Sequence, residues 1–62
     1  MTAAELRVLA DMARGRTAKS IAFDRGRSPH TIRNQIKAII KKLDASGSIE
    51  AVARARRNGL IE

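Results

Sequence analysis

Ser28-Pro29-His30-Thr31-Ile32-Arg33-Asn34-Gln35-Ile36-Lys37-Ala38-Ile39-Ile40-Lys41-Lys42-Leu43 is the stretch on which the fold turns. Serine followed by proline opens a helix. The hydroxyl can cap a free backbone N–H, and proline's fixed φ and missing N–H suit the first helical position. Ile32, Ile36, Ile39, Ile40 and Leu43 then recur at helical rather than strand spacing. Wound at about 100° per residue from Ile32, these five fall within roughly −20° to +80°. His30, Arg33, Asn34, Lys37 and Lys41 fall between roughly 100° and 200°. One helix therefore carries an apolar wall beside a nearly continuous wall of hydrogen-bond donors.

Just upstream, Thr17 is placed to cap a short helix over Ala18 to Arg25, with Ala18, Ile21 and Ala22 inward. Gly26 follows, where the short helix must stop and the next must start within a few residues. A positive φ is expected there, which glycine adopts without steric cost. Two helices joined by a tight turn, with the donors on the second, make the helix-turn-helix arrangement.

The flanks complete a four-helix, all-α domain spanning residues 1–62. Thr2 and Glu5 form a capping box, so a first helix is expected from Ala3 to Arg14, closed by Gly15. Leu6, Leu9, Ala10 and Ala13 form its stripe, and Val8 and Met12 widen it, which suggests more than one neighbour. Asp44 to Ser48 is a polar break. A fourth helix is expected from Ser48 to Asn58, with Ile49, Val52 and Ala53 inward and Ala51 and Ala55 on the outer side. Gly59 ends it, and Leu60-Ile61 can fold back onto the core. No strand, repeat, low-complexity stretch or linker is apparent.

Thirteen Lys and Arg stand against six Asp and Glu in 62 residues, a net charge of +7. So strong a field on so small a body points to a polyanionic partner. There is no cysteine, and His30 is the single histidine, so neither disulfides nor a zinc site is expected. No cofactor is implied. No apolar run approaches a membrane span, Met1 to Arg7 shows no signal peptide, and a cytoplasmic location is expected. The acidic residues are scattered, no Ser, His and Asp fall into a triad order, and an enzyme is not expected.

The donor wall suits double-stranded DNA. The major groove, about 12 Å wide, admits one helix. Arginine can present paired donors to guanine O6 and N7, asparagine can bridge adenine N6 and N7, and lysine can contact guanine or phosphate. Helix starts at Thr17–Lys19 and Ser28–Thr31 offer N–H groups to phosphate oxygens. An RNA-binding module is the alternative, but the chain has a single aromatic, Phe23, and so lacks stacking platforms. An anti-activator that pairs with a related regulator is a second alternative, although it would need no base-reading set.

The chain also resembles the DNA-binding domain of LuxR-type (GerE-like) bacterial transcription regulators. The resemblance rests on Thr2-Ala3-Ala4-Glu5-Leu6-Arg7-Val8-Leu9, Ile21-Ala22, Ser28-Pro29-His30-Thr31-Ile32-Arg33-Asn34-Gln35, Ile39-Ile40-Lys41-Lys42-Leu43, Glu50-Ala51-Val52 and Gly59-Leu60-Ile61. It implies base reading by Arg33, Asn34 and Lys37 and backbone contacts near Thr31 and Lys41. Thr17, Lys19, Ser28 and His30 join the backbone set by their place at the helix starts. The resemblance further implies a homodimer through the fourth helix on an inverted-repeat promoter site, for which Ala51 and Ala55 are the expected contacts. RNA polymerase and a sensing domain elsewhere in a larger regulator are further expected partners.

Four positions depart from the family pattern. Arg25 and Arg27 stand where it is usually apolar, so each is expected to lay its stem over the core edge with its guanidinium in solvent or on phosphate. Ser20 replaces a common Glu, and Gln35 replaces the usual His. Phe23 is expected to fold over the gap left at Arg25.

Overall fold

The computed structural model describes all 62 residues, Met1–Glu62. It contains four helices: α1 (Ala3–Ala13), α2 (Ala18–Arg25), α3 (Pro29–Lys42) and α4 (Ser48–Arg57). α3 is the hub, packed against each of the other three, and α4 also rests on α1. The expected ends of α1, α3 and α4 each run one residue too far. Arg14, Leu43 and Asn58 are caps that close the last turn rather than helical residues.

The starts form for the reasons visible in the chain. Thr2 Oγ1 accepts from the Glu5 N–H at 3.1 Å while Glu5 Oε1 accepts from the Thr2 N–H at 2.9 Å. Thr17 and Ser28 cap α2 and α3. α4 differs: its N-cap is Gly47, with no side-chain cap, and Glu50 instead reaches back to the Ser46 N–H. The break before it turns on Asp44, a non-glycine residue at φ 53°.

Gly26 has φ 64° and ψ 35°, the left-handed conformation that closes α2. A Cβ added there would meet nothing within 4 Å, so the constraint lies in the backbone alone. Gly26→Val is expected to destabilise the domain by more than about 1 kcal/mol, because a β-branched residue resists positive φ. A thermal melt indistinguishable from the parent would show that the turn tolerates a different backbone path.

The core comprises Val8, Leu9, Ile21, Ala22, Ile32, Ile39, Leu43, Ala51, Val52 and Ala55. α2 and α3 bury the faces their periodicity marks, but α1 is turned from its expected stripe: Val8 and Leu9 are buried together with Glu5 and Asp11, while Leu6, Ala10, Met12 and Ala13 are half-buried. Ile36 and Ile40 sit at the core's edge, and Ile61 folds back against it while Leu60 stays largely outside.

α4 is rotated from its expected setting. Ala51 and Ala55 are fully buried, whereas Ile49 is 90% exposed and Ala53 is also exposed. The reason is spacing: a helix that lies close across both α1 and α3 can place only small side chains at the contact, and alanine fits. Ile49, in the first turn, projects past the core's rim. Ala51 and Ala55 therefore cannot be dimer contacts.

Phe23 likewise departs from expectation, at 87% exposure on the side of α2 away from Ile21 and Ala22. Arg25 leaves no gap for it to fill, because its guanidinium turns inward to Asp11 rather than to solvent.

Candidate nucleic-acid interface

The donor wall of α3 is open along its length. His30, Thr31, Arg33, Asn34, Lys37 and Lys41 are all exposed, while Ile32 and Ile39 on the other wall are buried. His30 and Lys41 lie about 16 Å apart along the helix axis, three turns that a groove could follow. Arg33, Lys37 and Lys41 form no ion pair. The paired carboxylates engage Arg16, Arg25, Lys42 and Arg54 instead. The surplus positive charge on α3 is thus left uncompensated by the chain itself. Asn34 Nδ2 lies 3.3 Å from His30 Nε2 one turn earlier, which braces the amide and leaves its oxygen free.

The two helix starts are held more tightly than their sequence suggests. Thr17 Oγ1 accepts from the Ser20 N–H at 3.1 Å. Ser28 Oγ accepts from the Thr31 N–H at 3.1 Å and donates to Thr31 Oγ1 at 3.0 Å. The Thr17 and Ser28 oxygens are therefore engaged in capping. What stays unpartnered is backbone: the N–H groups of Ala18, Lys19 and His30 have no acceptor within the chain. Such groups at a helix N-terminus suit an anion. The structure brings Ser28, His30, Thr31, Arg33, Asn34, Lys37 and Lys41 onto one helix, with Thr17 and Lys19 at the start of the neighbouring one. Ala51 and Ala55 lie apart, inside the core.

Sequence reading missed the clamp that fixes α2 against α1. Asp11 is buried at 2% exposure. Its Oδ2 accepts from Arg25 Nε at 3.3 Å and Nη2 at 3.0 Å, and Arg16 Nη1 lies 3.5 Å from its Oδ1. Arg16 also bonds Asp24 and donates to Ser20 Oγ at 2.7 Å. Asp24 first, then Asp11, hold the Arg16 guanidinium above its ordinary pKa, against the opposing effect of burial. The signal was a single acid one turn from Val8 on the apolar side of α1, with arginines at both ends of the short α2.

A second tie joins α1 to the far end of α3. Lys42 Nζ donates to Glu5 Oε1 at 2.8 Å and Oε2 at 2.9 Å. That bond, with the Thr2 N–H, lowers the Glu5 carboxyl from 4.5 to about 2. A carboxyl depressed on folding contributes stability that is complete above its unfolded pKa and lost as pH falls towards the folded one. The melting temperature is therefore expected to fall between about pH 4.5 and about 2 through this group. Lys42→Gln is expected to flatten that part of the profile. An unchanged pH slope in Lys42→Gln would mean that the tie does not set the acid limb.

The fold, the capped α2–turn–α3 unit and the open donor wall agree with a match over residues 1–55 to the family model for bacterial regulatory proteins of the luxR family, GerE. The chain belongs to the LuxR family. Its GerE-like helix-turn-helix is a DNA-binding regulatory module and not an enzyme. The LuxR-type domain is 38% identical over 61 residues to the transcriptional regulatory protein YdfI of Bacillus subtilis. That alignment covers 98% of this chain and 29% of the relative, so the chain spans less than a third of the relative's length. No solved structure matches it significantly. No helix of the LuxR-type domain is long and apolar enough to cross a membrane.

Proposed function

We propose that this LuxR-type domain regulates transcription by reading a specific double-stranded DNA site with α3 in the major groove. The observation that carries the reading is the uncompensated wall on α3, aligned on one helix, whose Arg33, Lys37 and Lys41 side chains have no partner within the chain. Arg33, Asn34 and Lys37 read base edges. Thr31, His30 and Lys41 hold the flanking phosphates, as do the N-termini capped by Thr17 and Ser28, with Lys19 beside the first. A cytoplasmic location accords with DNA as the ligand. A sensing domain in a longer regulator, and RNA polymerase, are the partners that would turn binding into regulation.

Selection of bound duplexes from a random DNA library tests the reading and returns half-site spacing. On the selected site, Arg33→Ala or Asn34→Ala is expected to cost about 1–3 kcal/mol and to relax one base position. Lys41→Ala and Lys19→Ala are expected to weaken all duplexes alike and to lower the slope of log affinity against log salt by about one unit. Equal losses on selected and random duplexes for Arg33→Ala would overturn the base-reading assignment. A preference for RNA over duplex DNA in competition would favour the RNA-binding alternative.

Two copies are proposed to pair through α4 on an inverted repeat. Support comes from its outer face, where exposed Ile49 and Ala53 adjoin Val52 and, on α1, Met12 and Ala13. A two-fold contact through one patch would set the two α3 helices about one DNA turn apart.

A further inference from the structure

A second cationic feature lies on the back of the recognition helix. Arg7 of α1, Arg25 at the end of α2, Arg27 in the turn and Gln35 of α3 wall a small cleft of about 90 Å³. Its remaining lining is Ala4, Val8 and Ile32, the last two buried core residues.

Three arginines line one opening, and their charges repel each other unless something negative joins them. Arg25 is held by Asp11, while Arg7 and Arg27 have no acidic partner. Three positive charges against one carboxylate leave two uncompensated. We propose that this cleft is a phosphate site, filled by one phosphoryl group. Three features support that ligand. A phosphomonoester or inorganic phosphate carries about −1.5 to −2 near neutral pH and matches the residual charge, which one carboxylate does not. Arginine forks are suited to its oxygens, and the Gln35 amide adds a neutral donor. The volume is that of roughly three waters, enough for one tetrahedral oxyanion, with any ester substituent left outside.

The site is separate from the base-reading face. With Ile32 at zero, Gln35 falls at roughly 300°, about 150° from the centre of the Arg33–Asn34–Lys37 arc. Gln35 thus faces away from a duplex seated on that arc. The phosphoryl group therefore comes either from a free phosphorylated molecule, compatible with bound DNA, or from the backbone of another stretch of duplex.

Titration of the ¹⁵N-labelled chain with inorganic phosphate, at constant ionic strength set by chloride, tests the proposal without reference to DNA binding. Saturable shifts confined to Arg7, Arg25, Arg27 and Gln35 are expected. Arg27→Gln or Arg7→Gln should weaken them about tenfold. Neither side chain has an internal partner, so both variants should melt like the parent. Arg57→Gln, at an exposed position on α4, should leave them unchanged. Unsaturable shifts, shifts spread over all arginines, or equal weakening by Arg57→Gln would overturn the proposal. Repeating the titration with duplex present assigns the source. Undiminished phosphate binding identifies a free phosphorylated ligand, and competition by duplex identifies backbone phosphate.

Discussion

Ala55→Glu is expected to leave the domain unfolded, with no cooperative melt and no DNA binding of any kind. Ala55 is at 0% exposure where α4 packs on its neighbours. A glutamate there overfills a contact built for a methyl group, at about 1–3 kcal/mol. It also buries a carboxylate with no partner, at several kcal/mol more. A core in a chain of this size supplies roughly 3–5 kcal/mol in all. Ile49→Glu, on the same helix, should behave in the opposite way. At 90% exposure its replacement should move stability by no more than about 0.5 kcal/mol. Single half-site binding should persist, and cooperative binding to an inverted repeat should be lost. Circular dichroism melts separate the first outcome from the second, and gel shifts on one and two half-sites read the third. A folded Ala55→Glu variant would contradict the packing of α4. Cooperativity that survives Ile49→Glu would place the pairing surface elsewhere.

Asp11→Ala is the second large effect, at about 2–3 kcal/mol of lost stability. Removing one member of a buried ion pair costs up to about 3–5 kcal/mol when the remaining charge has nowhere to go. Here the remaining charges are the guanidiniums of Arg16 and Arg25, whose side chains are 28% and 36% exposed and can turn to water. That lowers the loss without cancelling it, because Asp11 also fills space between α1 and α2. Against the small total, the variant should be marginal at room temperature. Asp11→Asn keeps the shape and one acceptor, and about half the loss is expected. The effect on DNA should be indirect: α2 loosens against α1, so binding weakens equally on all duplexes. Loss of discrimination between sites at unchanged stability would mean that Asp11 acts on the recognition face instead.

The apolar faces of α2 and α3, the capping residues Thr2, Thr17 and Ser28, the left-handed turn at Gly26 and the donor wall on α3 were all legible in the chain. Each depends on the backbone within a few residues: a cap needs its own helix start, and helical periodicity needs one helix. What the chain alone could not decide depends on partners distant in sequence. The Asp11–Arg25 clamp and the Glu5–Lys42 tie join residues 14 and 37 positions apart, and no local pattern records either. The rotation of α4 is the clearest case. Ile49 is its bulkiest aliphatic residue, and Ala51, Ala53 and Ala55 are equally small, so helical spacing from Ile49 assigns the inner face to Ile49 and Ala53 and the outer face to Ala51 and Ala55. The tertiary structure reverses that assignment, because the distance to α1 and α3 selects the side chain that fits at the contact, and that distance is set by the other three helices.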